Sequence, residues 1–172
     1  MKNQQEEIPY YEVYQAFNKA GINYAVCGGA AVILLGYARM SVDLDLVVEL
    51  NKVNLEKVYD SMIALGYRPS APITRADFCD LKKIKQLEVE KNMKAVSFYS
   101  SNDPFAVVDI GVNLPLIDEI LKNKKSVKIG RLAIPIIWID DLIKMKEDLA
   151  RPKDLMDVAH LKEIKKNGKT NN

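Results

Sequence analysis

The chain has little of what most metal, redox and membrane proteins are built from. One histidine, His160, stands between Ala159 and Leu161 near the C-terminus with no matching partner, so it reads as a packing residue and not as a catalytic one. The two cysteines, Cys27 and Cys79, sit in no metal-ligand spacing, and two free thiols suit a reducing cytosol. No apolar run reaches the ~18 residues that span a bilayer. The opening Met1–Glu7 is polar and lacks the apolar core of a signal peptide. Neither charge sign is in excess: 25 Lys and Arg face 23 Asp and Glu, a formal +2, which excludes a nucleic-acid coat or a membrane-surface protein on bulk electrostatics. There is no internal repeat, no low-complexity linker, no Gly-Lys-Ser/Thr phosphate loop and no G-x-G-x-x-G. These absences leave a cytoplasmic protein with enough apolar sequence to build a core unaided.

What is present is patterned. Tyr10, Val13, Tyr14 and Phe17 form a helical stripe over residues 9–20, ended by Gly21. Ile22–Cys27 is a short strand, Gly28-Gly29 a turn, and Ala30–Tyr37 a helix closed by Gly36. Val42–Leu50 alternates strictly as a strand, with Asp43, Asp45 and Val47 on one face. Helices are predicted over Leu55–Leu65, Ala76–Val89, Pro115–Lys122, Trp138–Leu149 and Pro152–Lys166. Pro72 and Thr74 mark a loop and a cap. Strands are predicted over Lys94–Tyr99 and Phe105–Val112, with a hairpin of Val127–Ile129 and Leu132–Ile136 around Gly130-Arg131. The pattern is α+β: a small mixed β-sheet with helices on one face and C-terminal helices added. Residues 1–137 form the core, 138–166 a helical extension of the same domain, and 167–172 a flexible tail. Trp138, Ile136 and Ile137 are expected in the core between sheet and C-terminal helices.

The segment Tyr24–Val48 concentrates the chemistry. Asp43 and Asp45, two apart on a strand, would share a face about 6.5–7 Å apart. Such carboxylates repel unless a cation lies between them, and hard oxygen ligands suit Mg²⁺ or Mn²⁺ with substrate phosphates. The plain alternative is a solvated strand face. Asp109 lies inside the apolar run Phe105–Val112, where a carboxylate needs a partner or a metal because burying it alone is costly. Its alternative is a strand-end acid held by an amide or an arginine. Gly28-Gly29 follows a strand and opens a helix, a place where backbone amides attract phosphate; taken alone, it is a tight turn needing positive φ.

Taken together, Gly28-Gly29-Ala-Ala-Val-Ile-Leu-Leu-Gly36, then Arg39, Ser41, Asp43-Leu-Asp45 and the distant Asp109 resemble the signature of the DNA polymerase β-type nucleotidyltransferase superfamily. The nearest likeness is to its small minimal-nucleotidyltransferase and AbiEii toxin-like branch, which also resembles lincosamide nucleotidyltransferases. Ile139–Lys146 and Arg151–Asp157 resemble the closing helices of that branch. The resemblance implies the nucleotidyltransferase fold and the transfer of an NMP from an NTP, such as ATP, to a hydroxyl of a small molecule, a protein or an RNA 3′ end. It implies Mg²⁺ or Mn²⁺ on Asp43, Asp45 and Asp109, with Asp109 also helping to deprotonate the acceptor. Gly28 and Gly29 would let the backbone hold the triphosphate, and Ser41 would donate to a phosphate oxygen. Arg39 would balance phosphate charge or pair with a local acid. Lys146 would reach the triphosphate or lie on a solvated helix face. Asp154 and Asp157, in the first turns of the last helix, are read as capping and packing, and Arg151 and Lys153 stay open between the two roles. The branch also raises a non-catalytic nucleotide-binding module, or one component of a toxin–antitoxin pair with an antitoxin-like protein partner.

Overall fold

The structure is a computed structural model that describes residues 8–70, 72–113 and 116–170. The predicted start of a helix at Pro115 and the polar N-terminal segment 1–7 lie outside the described residues. In chain order the elements are α1 (Tyr11–Ala20), β1 (Tyr24–Val26), α2 (Gly28–Leu34), β2 (Leu44–Val48), α3 (Lys52–Ala64), β3 (Tyr67–Pro69), α4 (Arg75–Phe78), α5 (Leu81–Lys91), β4 (Ala95–Ser100), β5 (Val107–Gly111), α6 (Ile117–Asn123), β6 (Lys125–Ile129), β7 (Leu132–Ile136), α7 (Ile139–Leu149) and α8 (Pro152–Thr170).

All seven strands join one mixed sheet in the order β3-β4-β5-β2-β1-β7-β6. β5 lies parallel to β2, and β7 parallel to β1, while the other neighbours are antiparallel. Register puts Tyr24, Val26, Leu46, Val48, Val96, Phe98, Val108 and Ile110 on one face, and all eight are buried. Helices cover that face. Phe17 of α1 meets Tyr24 edge-on at 5.3 Å between ring centres, and Tyr59 of α3 and Phe78 of α4 lie 6.0 and 5.7 Å from Phe98. Each such aromatic removes a large apolar area from water, and the edge-on geometry adds to it. The opposite face carries Asp45, Val47, Asp109 and Gly111.

Local chemistry sets the helix ends. Gly21 stops α1 at φ 62, its N–H reaching back to Asn18 and Phe17. Asn51 accepts from the Asn54 N–H to start α3. The single helix expected over Ala76–Val89 is two. Thr74 and Asp77 form a reciprocal cap on α4. Asp80 then takes the Lys82 and Lys83 amides to begin α5. Asp80 is a better helix start than interior residue, because its carboxylate competes for backbone amides.

Four further expectations are corrected. β2 begins at Leu44, so Val42 and Asp43 precede the strand. α2 starts at Gly28 itself and ends at Leu34, short of the predicted Tyr37. α8 runs on to Thr170, so residues 167–170 are helical where a tail was expected. Ile136 and Ile137 are buried as predicted, but Trp138 is 37% exposed, with the Lys125 Nζ 5.1 Å from its ring centre. Among the described residues no helix is long and apolar enough to cross a membrane.

Candidate active site

The parallel pairing of β2 and β5 places Asp45 directly beside Asp109. Both point from the sheet into a cleft of about 400 Å³. Asp43, Gly28, Gly29, Arg39, Ser41 and Lys146 line the same cleft, so segments far apart in sequence meet there. Ala95, Gly111 and Asn113 form part of the wall, and Leu142, Met145 and Leu149 of α7 give it an apolar side.

The carboxylates are electrostatically incomplete. Burial first, then the charges of Asp109 and Asp43, push the Asp45 carboxyl up to about 6, against a smaller opposing pull from the Gly29 amide and Lys146. The Oδ1 of Asp109 is buried without a hydrogen-bond partner. A buried acceptor left unmatched is costly, and a cation satisfies it. The oxygen-only donor set suits Mg²⁺ or Mn²⁺. Among the described residues no three acidic, histidine or cysteine groups already converge as a ligand cage. The carboxylates thus fit a hard cation in charge and chemistry, in a site that also needs oxygens from substrate.

The glycine pair has a more specific reason than a tight turn. Gly28 has φ 59, and a Cβ there would stand 1.9 Å from Asp45 Oδ2. A Cβ on Gly29 would meet Arg39 Nη2 at 2.3 Å and Ser41 Oγ at 2.5 Å. The space a side chain would fill is therefore taken by the site's own polar groups. Ser41 Oγ donates to the Asp43 carbonyl at 3.3 Å, which ties the loop before β2 to itself. Cys27, just before α2, is buried. Burial and the Asp45 charge raise its thiol, so it is protonated at neutral pH and offers no nucleophile.

Lys146 is not on a solvated helix face. It is 4% exposed, and its ammonium lies 2.7 Å from Asp157 and 3.4 Å from Asp154. Asp157 also faces Arg39 Nε at 3.4 Å, and Asp154 faces Arg151 Nε at 2.5 Å. Both aspartates are almost fully buried, as packing residues would be, and Asp154 lies in the first turn of α8; their partners there are ionic, Lys146, Arg39 and Arg151. Burial alone would raise the Asp154 carboxyl, but Arg151 and Lys146 hold it below its ordinary value. Sequence reasoning overlooked Lys94, which lines the cleft; its position just before a strand carries no motif. Lys94 and Lys153 have no ion-pair partner among the described residues. His160 lies outside this cleft and stacks on Tyr37, ring centres 3.8 Å apart, which agrees with a packing role.

No protein-family model matches the chain, and no curated protein matches its sequence. Solved structures do match in shape. The lincosamide antibiotic adenylyltransferase LnuA, bound to lincomycin, superposes with a TM-score of 0.59 at 15% identity, over 91% of this chain and 98% of that one. An antigenic nucleotidyltransferase-like protein from Paracoccidioides brasiliensis gives 0.54 at 14% identity, over 87% of this chain and 71% of that one. The fold is that of the nucleotidyltransferases, an α+β sheet closed by C-terminal helices.

Proposed function

We propose that the protein is a metal-dependent nucleotidyltransferase, moving an NMP from an NTP to a hydroxyl acceptor and releasing pyrophosphate. The observation that carries this reading is the side-by-side pair Asp45 and Asp109. It is uncompensated, faces a cleft, and sits on the fold that nucleotidyltransferases share.

Asp43, Asp45 and Asp109 would hold Mg²⁺ or Mn²⁺, whose positive charge stabilises the attacking and leaving oxygens. The acceptor oxygen bonds to the α-phosphorus as the bond to the α–β bridging oxygen breaks. Asp109, through the carboxylate oxygen not engaged with the cation, would take the hydroxyl proton. Gly28 and Gly29 keep the start of α2 bare of side chains, so the phosphates approach beside Ser41 and Arg39. Lys94 and Lys153 supply unpaired positive charge for the departing pyrophosphate, with Lys146 set behind them in its pair with Asp157.

The acceptor classes are a small molecule, a protein hydroxyl and an RNA 3′ end. The formal charge of +2 and the likeness to an enzyme acting on a lincosamide favour a small molecule. Placement in the minimal or AbiEii toxin-like branch, with an antitoxin-like partner, rests on the Gly28–Asp45 and Ile139–Asp157 spacings. The free, buried thiols fit work in the cytoplasm.

The test incubates the protein with each α-labelled NTP, ATP first, with Mg²⁺ or Mn²⁺ and cell extract, beside an Asp43→Asn/Asp45→Asn variant. Label transfer that disappears in the variant supports the reading. No transfer from any NTP, with nucleotide binding that ignores metal, overturns it and leaves a nucleotide-binding module.

A further inference from the structure

The ladder between β2 and β5 begins at the pair Leu44 and Val108. Val42 and Asp43 come before it, in a bend, so the ladder holds Asp45 and Asp109 but not Asp43. A third element fills the gap. The Tyr10 hydroxyl donates to the Val42 carbonyl at 2.5 Å and accepts from the Val107 N–H at 3.2 Å. Val107 N–H, Tyr10 oxygen and Val42 carbonyl thus form one continuous chain. It is a ladder rung with a side-chain oxygen inserted, and each bond in it polarises the next.

Two features mark Tyr10 as placed for this purpose. It occupies the N-cap of α1, where Ser, Thr, Asp or Asn would accept from the helix amides, yet it makes no side-chain cap. It also holds φ 60 and ψ 26, a left-handed conformation unfavourable for a bulky residue. The backbone conformation costs stability and the cap is forgone, while the hydroxyl reaches the two carboxylate-bearing segments. The groups whose charges act on that hydroxyl include Asp43 and Asp109, behind the larger effect of burial.

We propose that Tyr10 is a positioning residue: its hydroxyl fixes the backbone of Asp43 relative to the Asp109 strand and so sets the spacing of the carboxylates. The inference rests on the cation-binding reading of the site. Removing the hydroxyl changes no ligand and no charge, yet it frees Asp43. Groups that orient metal ligands are typically worth 10–100-fold in affinity.

The probe is Mn²⁺ alone, titrated into the full chain and followed by the paramagnetic resonance of free Mn²⁺. Tyr10→Phe is compared with wild type and with Tyr11→Phe, a neighbour whose hydroxyl has no hydrogen bond among the described residues. The expected result is about tenfold weaker Mn²⁺ binding for Tyr10→Phe, with faster amide exchange at Val107, melting lowered by only a few degrees for the two lost hydrogen bonds and a wild-type Tyr11→Phe. Tyr10→Phe that exchanges faster at Val107 but binds Mn²⁺ as tightly as wild type overturns the inference alone. Wild type without Mn²⁺ binding that Asp45→Asn removes overturns the cation-binding reading and this inference with it. If Tyr10→Phe melts too low to titrate, 4-aminophenylalanine at position 10 decides. It is neutral and close to isosteric, still donates to the Val42 carbonyl and accepts poorly from the Val107 N–H, so weakened binding supports the inference and unchanged binding overturns it.

Discussion

The two walls of the cleft treat their charges in different ways. On the strand wall, Asp43, Asp45 and Asp109 crowd together, and the Asp109 Oδ1 is left unmatched. On the opposite wall, Lys146 of α7, Arg39 of the loop after α2 and Arg151 between α7 and α8 each lie within ion-pair distance of Asp154 or Asp157 of α8. The paired wall holds two helices together, although Arg39 Nε and Asp157 Oδ2 make ion-pair contacts without a hydrogen bond and Lys153 has no ion-pair partner among the described residues. The unmatched wall is finished only by something that binds. Burial alone does not separate function from structure here, since the most buried charges, those of Asp154 and Asp157, are the structural ones.

Four substitutions press on this contrast. The largest effect is expected from Asp109→Asn, which keeps shape and removes charge from the unmatched wall. Label transfer should fall about a thousandfold, roughly 4 kcal/mol of transition-state stabilisation, with melting no lower than wild type. Equal transfer would place the proton acceptor elsewhere. Next comes Lys146→Met on the matched wall, which leaves two buried aspartates with one partner each. It should cost about 3 kcal/mol and lower Tm by roughly 10 °C, read by thermal unfolding.

Asp45→Asn is smaller and opposite in sign. Folding raises the Asp45 carboxyl from 3.8 to about 6, so its contribution to stability is complete below about pH 4 and is lost as pH rises through 6. At pH 7.5 the native protein carries this charge at a cost, and the variant should be more stable by up to about 3 kcal/mol, less whatever the amide loses in hydrogen bonding. The gain should vanish near pH 4 and shrink when Mg²⁺ stabilises wild type. Melts across that pH range check it. Lys85→Ala, which removes the exposed i,i+3 pair with Glu88, should change stability by less than about 0.5 kcal/mol. A larger loss would mean that pairing itself, and not burial, gives the α7–α8 network its weight.

Much of this was legible in the sequence, for identifiable reasons. Asp109 stands out because an acid interrupts an apolar strand, and Gly28-Gly29 because the pair joins a strand to a helix. Periodicity could not show that Asp43 lies outside β2, because Val42–Leu50 alternates without a break. The ladder starts at Leu44 and Val108 while the Val107 N–H goes to Tyr10, and that is a property of the folded partners. The partners of Arg39 and Lys146 were hidden for a similar reason: Asp157 meets both only once α8 has folded back on α7. The Tyr10 hydroxyl was concealed inside an ordinary helical stripe, where its ring signals packing and its oxygen signals nothing.

The adjacency of β2 and β5 also has a kinetic consequence. Everything from α3 to β4 must be made before β5 can slot in beside β2, and parallel pairing across so long an excursion is slow to close. Like charges on Asp45 and Asp109 oppose the final approach further. A chain still emerging from the ribosome, or cut between Val48 and Val107, therefore holds Asp43 and Asp45 without Asp109, and has no cleft. Whatever chemistry the cleft performs is withheld until synthesis has passed that point.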